Sequence, residues 1–346
     1  MGVKKFNSML QKLNLVIEID DLFMLNTYLR QQTNKLNNEP LKIAIDTSLY
    51  LYKYIRAEKI KNNHTLTFVE LFKKQIDKFL KYNIIPIYVF DGPSDELKNN
   101  TIENRLQKKC EAIGEFVESI ANGNDKEDIK IKKIIAKTIS VTQNDVEKLQ
   151  HFLSDYNIPY IISPCESDVL CAKLVNHNIA DACLSEDMDM IINGCPTLIK
   201  SLDGKYYVYI YDKIIKTLNI SSEELCKFAS LLGSDYSRSA NSKIDPTTLL
   251  EICKKHSFNL QNILNEIIIC DVHRKHFIEQ SNTSFGLSEL TDLLFDHNQD
   301  YELLNNINKY YCTAYKLLNF YNNDKNIHIE LFNNSYKNKP CNSIMI

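Results

Sequence analysis

Three acids within four residues, Glu186, Asp187 and Asp189, follow directly on the apolar start of "ACLSEDMDMII" (182–192). Acids that end an apolar run can be a solvated loop or a helix cap, or they can form one wall of a metal site. The same juncture recurs along the chain. Asp46 closes "LKIAID", Asp91 closes "IIPIYVFD", and Glu166 with Asp168 follows "IPYIIS" in "SPCESDVL". A seventh acid, Asp235, stands in "LLGSDY", where an apolar helix runs into a glycine-containing turn. Alone, each reads as a cap or loop residue. Four strand ends with acids are uncommon by capping alone.

The elements that must position these acids are short, apolar and β-branched. The runs 41–46, 84–91, 158–163 and 181–185 read as buried strands. Amphipathic helical patterns lie between them, for example over 67–82 and 141–156. That alternation predicts an α/β fold with a mostly parallel, twisted sheet flanked by helices. A hairpin follows in "TLIKSLDGKYYVYIY", with Asp203-Gly204 as its turn. From about residue 212 the pattern is helical to about 321, and an Asn-rich tail closes the chain. Between Asp91 and Val141 lies a long, highly charged insertion that reads as two helices broken near 122–125 and standing off the core.

In an open α/β sheet, ligands bind in the crevice outside the carboxyl ends of the strands, where six of the carboxylates converge. So many anions share a crevice only if several hold protons or cations sit among them. Hard divalent ions with oxygen ligands are the natural counter-charge. Two such ions, about 3.5–4 Å apart, activate water and stabilise the leaving oxygen in phosphodiester hydrolysis.

Composition narrows the class. The 346 residues carry a net charge of −3, which argues against an unselective nucleic-acid binder. No run of eighteen apolar residues is present, so a membrane span is excluded. The start, "MGVKKFNSML", has no continuous apolar stretch of the secretory kind. Ten cysteines without a C-x-x-C pair read as free, mostly buried thiols in an intracellular, reducing compartment, and no zinc site is expected.

Taken in order, "MGVKKFNSML", "IAIDTSLYLYKYI", "YVFDGPSDELK", "IPYIISPCESDVLCAKLV", "CLSEDMDMII" and "LLGSDY" resemble the structure-specific 5′ nuclease superfamily. Within it the chain is most similar to the flap endonucleases, over roughly residues 1–260. The resemblance implies a PIN-like nuclease core over 1–215 with a helical arch at about 92–140. It further implies a helical duplex-DNA-binding region over 216–325, with a degenerate helix-two-turn-helix, and a loose tail over 326–346. Asp46, Asp91, Glu166, Asp168, Asp187, Asp189 and Asp235 match the carboxylates that hold two Mg²⁺ ions in that family, with Mn²⁺ as a substitute. Glu186 is not among the matched positions. Lys98 and Arg105 match the basic pair on the first arch helix that meets the scissile phosphate; seven residues apart, they share a helix face. Tyr52 matches an aromatic that stacks on a base beside the cut, and Gly2 matches the glycine near the chain start. Lys130, Lys132, Lys133 and Lys137 offer the second half of the arch a positive face for phosphates.

Three departures qualify the likeness. Asp168 stands where the family more often has Glu, one methylene longer. In "KIDPTTLLEICKKH" (243–256), Lys243 and Asp245 replace two glycines that shape a monovalent-ion nest, so a K⁺ site is doubtful and Lys243 becomes a candidate phosphate contact. The tail "IELFNNSYKNKPCNSIMI" lacks a sliding-clamp motif.

The expectation is a monomeric hydrolase that cuts flapped or branched DNA at 5′ flaps and single-strand/duplex junctions, with 5′-3′ exonuclease activity. It would act in the nucleus or at a cytoplasmic site of DNA replication. A gap, bubble or four-way-junction nuclease of the same superfamily is the alternative. A catalytically inactive nucleic-acid-binding member ranks lower, because all seven matched positions are acidic.

Overall fold

The computed structural model of the chain describes residues 3, 5–60, 66–92, 99–121, 129–163, 166–233, 239 and 243–267. Its elements run α1 (Phe6–Lys12), β1 (Val16–Ile19), α2 (Leu22–Thr33), β2 (Leu41–Asp46), α3 (Thr47–Ile60), α4 (Phe68–Lys81) and β3 (Ile84–Phe90). The insertion supplies α5 (Asn99–Ala121) and α6 (Ile129–Thr138), followed by α7 (Gln143–Asp155), β4 (Tyr160–Ile162), α8 (Ser167–Asn176) and β5 (Ala182–Leu184). Then come α9 (Asp189–Ile192), β6 (Thr197–Leu202), β7 (Lys205–Ile210), α10 (Tyr211–Leu218), α11 (Ser222–Leu232), α12 (Pro246–Lys255) and α13 (Leu260–Ile267).

Local sequence explains where the helices begin. Thr67 accepts from Glu70 N–H while the Glu70 carboxylate accepts from Thr67 N–H, so two orphan donors at the start of α4 are satisfied reciprocally. Thr142 with Asp145 and Ser221 with Glu224 do the same for α7 and α11. Past its cap, α4 places Phe68, Phe72, Ile76 and Phe79 on one buried stripe. Each such side chain contributes about 1.5–3 kcal/mol of hydrophobic stabilisation.

The strands form one seven-stranded sheet in the order β1-β7-β6-β5-β2-β3-β4. The five strands β6, β5, β2, β3 and β4 are parallel, while β7 and β1 add an antiparallel edge. Alternate residues feed two apolar clusters. Ile43, Ile45, Tyr88 and Phe90 face α2, α3, α4 and α7, whereas Ala44, Ile87 and Val89 face α1 and the helices from α8 onward. Both faces of the central strands are covered, which is why they read as continuous apolar runs. Leu225, Phe228, Leu249 and Ile263 belong to the same cluster as α1 and α8, so α11 to α13 are docked on the sheet layer.

Pro86 sits inside β3, a position usually closed to proline because a ladder bond is lost. Tyr88 N–H points to the β4 side, where it meets Pro159 O at 3.0 Å. Pro86, two residues earlier, lacks an N–H on that same side. There β4 has not yet begun, since its pairing covers only Tyr88 to Phe90.

The four strands and the hairpin expected from sequence are present, trimmed by a residue or two, and Asp203 and Gly204 form the turn with φ of 51° and 85°. β1 was not anticipated: four residues with one acid among them carry too short an alternation to stand out. The helical pattern from 268 to 321 lies outside the described residues.

Gly233 ends α11 at φ 91°, a conformation open to glycine, and a Cβ there would stand 2.5 Å from Ser239 N. Gly233→Ala therefore combines strain with a backbone clash. A loss of about 1–3 kcal/mol is expected, seen in circular-dichroism melting as a fall of roughly 3–10 °C.

Candidate metal centre

β4, β3, β2 and β5 are contiguous and parallel, so their carboxyl ends form one edge. Asp46 is the last residue of β2 and passes without a loop into α3. Asp91 lies one residue past β3. Glu166 is the residue before α8 and Asp168 stands in its first turn. Asp187 lies between β5 and α9, and Asp189 opens α9. Six of the seven acids singled out in the sequence thus share this edge. Asp235, Gly2 and Lys98 lie outside the described residues.

Burial differs sharply among the six. Asp46, Glu166, Asp168 and Asp189 are buried, Asp187 is half-buried and Asp91 is exposed. Serine hydroxyls join them. Ser167 Oγ lies 2.6 Å from Asp91 Oδ1 and 3.2 Å from Asp46 Oδ1, and Ser167 N–H donates to Asp91 Oδ1 at 2.9 Å. One hydroxyl proton serves one acceptor at a time, so Ser167 ties two carboxylates together without satisfying both. On the other side Ser185 Oγ donates to Asp46 Oδ2 at 3.0 Å and accepts from Asp187 N–H at 3.1 Å. Asp187 Oδ1 in turn accepts from Asp189 N–H at 3.0 Å. Asp168 accepts from Val169 N–H at 2.8 Å and from Asn193 Nδ2 at 3.3 Å.

Electrostatics single out Asp46. Burial raises its carboxyl from the usual 3.8 to about 7, and the charge of Asp91 pushes further in that direction. The Ser185 hydrogen bond pulls against the shift, Asp168 adds to it, and Ser167 again opposes. Lys200 of β6 faces Asp187 and Glu186 from the adjoining strand; burial lowers its pKa while those two acids raise it.

The donor set is all oxygen, which suits Mg²⁺ or Mn²⁺ rather than a thiophilic ion. Among the described residues no three His, Cys, Asp or Glu side chains already stand together as a closed cation cage. Mg²⁺ keeps several waters and takes few direct protein ligands, so carboxylates along this edge could hold it partly through water. Crowded like charge around a buried carboxylate is the observation that calls for such a cation.

The remaining predicted contacts divide. Tyr52 is 48% exposed and its hydroxyl donates to Ile139 O at 3.2 Å, so the ring is tethered to the end of the insertion. Arg105 is exposed on α5. Lys130, Lys133 and Lys137 are exposed on α6, whereas Lys132 is half-buried, because a residue two positions along falls on another side of the helix. The four lysines therefore do not make one face as expected. Lys137 pairs with Glu115 of α5 at 4.0 Å. Lys243 is exposed, and Asp245 caps α12 through Thr247 N–H at 3.1 Å while pairing with Lys12 at 3.2 Å. Ser167, Ser185, Asn193 and Lys200 were not anticipated. Single polar residues without a motif spacing carry no signal until the strands are laid side by side.

Two family descriptions match the chain: an XPG N-terminal domain over residues 1–112 and an XPG I-region over residues 157–235. Flap endonuclease 1 of Homo sapiens is 28% identical over 229 residues, covering 62% of this chain and 59% of the relative. Flap endonuclease 1 of Nitrosopumilus maritimus is 29% identical over 248 residues, covering 66% and 70%. The chain thus spans 59% of the length of the first of these relatives. Among solved structures, the catalytic core of Rad2 in complex with DNA substrate aligns with a TM-score of 0.56 at 23% identity, covering 76% of this chain and 72% of that one. Flap endonuclease-1 from Methanococcus jannaschii aligns with a TM-score of 0.52 at 19% identity, covering 81% and 83%. At those identities the likeness is one of fold.

Asp46 sets a pH dependence with a definite sign. Its folded pKa of about 7 exceeds the usual 3.8, so the stability it contributes is complete below about pH 4 and lost as pH rises through about 7. In EDTA, the melting temperature should fall between about pH 4 and pH 7. Asp46→Asn should flatten that slope, and Mg²⁺ added at the higher pH should raise the wild-type melting temperature.

Proposed function

The chain belongs to the XPG family, and on that premise we propose that it is a divalent-metal-dependent, structure-specific 5′ nuclease. It hydrolyses phosphodiesters of DNA at 5′ flaps and single-strand/duplex junctions, with 5′-3′ exonuclease activity. The observation that carries this reading is the edge where four adjacent parallel strands end in carboxylates around the buried Asp46.

Asp46, Asp91, Glu166, Asp168, Asp187 and Asp189, with Asp235, are the residues that would hold two Mg²⁺ ions. Bound there, the ions would supply a water made nucleophilic at neutral pH and positive charge for the leaving oxygen. The protein's own part is positional. Ser167 and Ser185 orient Asp46 and Asp91, and Ser185 also fixes the backbone that presents Asp187. Arg105 and Lys98 bring positive charge from the insertion to the scissile phosphate, where charge grows in the transition state. Tyr52 offers its half-exposed ring to a base at the junction, a contact worth about 1–3 kcal/mol and tolerant of sequence.

Lys130, Lys133 and Lys243, all exposed, are candidate backbone contacts, with Gly2 near the chain start. Lys137 joins them only by releasing Glu115. At the start of α12 the Asp245 carboxylate already fills the position of an anion and holds Lys12. With Lys243 and Asp245 in place of the two glycines, exchanging K⁺ for Na⁺ should leave the rate unchanged.

Incubation with Mg²⁺ and labelled flap, nicked, single-stranded and four-way DNA tests the assignment. Cleavage of the flap at its base is expected. Failure on every substrate would refute the nuclease reading, and preference for the four-way junction would replace flap with junction specificity. Asp187→Ala should lower kcat by at least about a hundredfold while junction binding persists. Retained turnover in that variant would mean the carboxylates have been misassigned.

A further inference from the structure

Glu186 lies between Ser185 and Asp187, yet its carboxylate does not join their network. Its Oε1 instead pairs with Lys53 Nζ of α3 at 2.9 Å, with both side chains about half exposed, 42% and 50% respectively. The Lys53 ammonium also sits 5.7 Å from the centre of the Tyr50 ring. Tyr50 is 3% exposed, and its hydroxyl finds no hydrogen-bond partner among the described residues. Ring contacts connect Tyr50 onward to Tyr54 and Tyr54 to Phe72, so the Tyr50 ring is fixed by packing. Burial pushes its hydroxyl well above the usual tyrosine range, and Tyr54, Glu186, Tyr206 and Asp46 push in the same direction.

Three facts need one explanation: a half-exposed cation beside the carboxylate edge, an acid that masks it, and a buried hydroxyl without a partner on the ring near that cation. An ion pair between half-exposed side chains contributes little and is screened by salt. A buried hydroxyl without a partner is costly. The pair is therefore easily exchanged, and the idle donor favours the exchange. Lys53 also follows Tyr52 directly, in the second turn of α3, the helix that begins just after Asp46.

We propose that Lys53 is a substrate-phosphate contact masked by Glu186, and that Glu186 passes to the Tyr50 hydroxyl when a DNA phosphate takes Lys53. Tyr50 is then a positioning residue: it touches no substrate and acts by receiving the displaced carboxylate. The inference rests on the nuclease reading. It identifies one phosphate subsite beside the crevice and gives Glu186, the acid left out of the ligand set, a role opposite to that of its neighbours.

The test is flap-DNA binding by fluorescence anisotropy in Ca²⁺ over a series of salt concentrations, followed by steady-state cleavage in Mg²⁺. Lys53→Gln should weaken binding about three- to tenfold and reduce the log-log salt slope by about one, with Lys53→Arg restoring affinity. Glu186→Gln should tighten binding a few-fold and have no effect in the Lys53→Gln background. Tyr50→Phe should weaken binding in the wild type but not beside Glu186→Gln. Melting temperatures check that each variant folds. An unchanged salt slope in Lys53→Gln, weaker binding or lost kcat in Glu186→Gln, or additive effects across the pairs would each overturn the proposal. If the wild type cleaves none of the DNA substrates, the nuclease reading fails instead, whatever the binding data show.

Discussion

A carboxylate buried among carboxylates is the constraint around which this protein is arranged. Asp46 ends the central strand with 5% of its surface exposed, and Asp91 and Asp168 both act on it with like charge. In water such crowding is mild; away from water it is severe. The fold answers with neutral donors. Ser167 and Ser185 bond to Asp46, while the nearby cations Lys53 and Lys200 are engaged at the rim with Glu186 and Asp187. Had a lysine paired with Asp46 directly, the negative potential would be quenched internally and no bound cation would be called for. Serines hold the geometry and leave the charge in place.

How much of this could be read from residues alone follows from the range of each interaction. Continuous apolar strands, the amphipathic helical patterns and the Asp-Gly turn are local, and they were legible because a few neighbouring residues determine each one. The crevice was legible too, since parallel strands that end in acids must put those acids on one edge. Ser167, Ser185 and Asn193 were not, because their partners lie 121, 139 and 25 residues away. The same holds for the pairing of Lys53 with Glu186, 133 residues apart. Lys132 shows a different failure: counting lysines in a segment ignores the helical turn that separates it from Lys130, Lys133 and Lys137.

The described helices after the hairpin, α10 to α13, are bound to the sheet rather than appended to it. Phe228 packs edge-on against Phe6 with ring centres 6.4 Å apart, and Lys12 of α1 reaches Asp245 at the cap of α12. Helices α11 and α12 are thus anchored through α1 to the layer that carries the carboxylates. A change in the angle of α12 would be felt along a packed, rather than a flexible, connection.

The first strand has a consequence for how the chain is made. Among the described residues β1 pairs only with β7, so Val16 meets Tyr209 and Ile19 meets Tyr206 across most of two hundred residues of intervening sequence. During synthesis the β1 segment leaves the ribosome long before its partner exists. Its backbone groups stay unmatched until the hairpin of β6 and β7 has emerged. Contacts of such separation slow folding and leave an open strand exposed to wrong partners. Closure of that edge is therefore a late event, and the completed sheet comes only after every strand that bears a carboxylate has been translated.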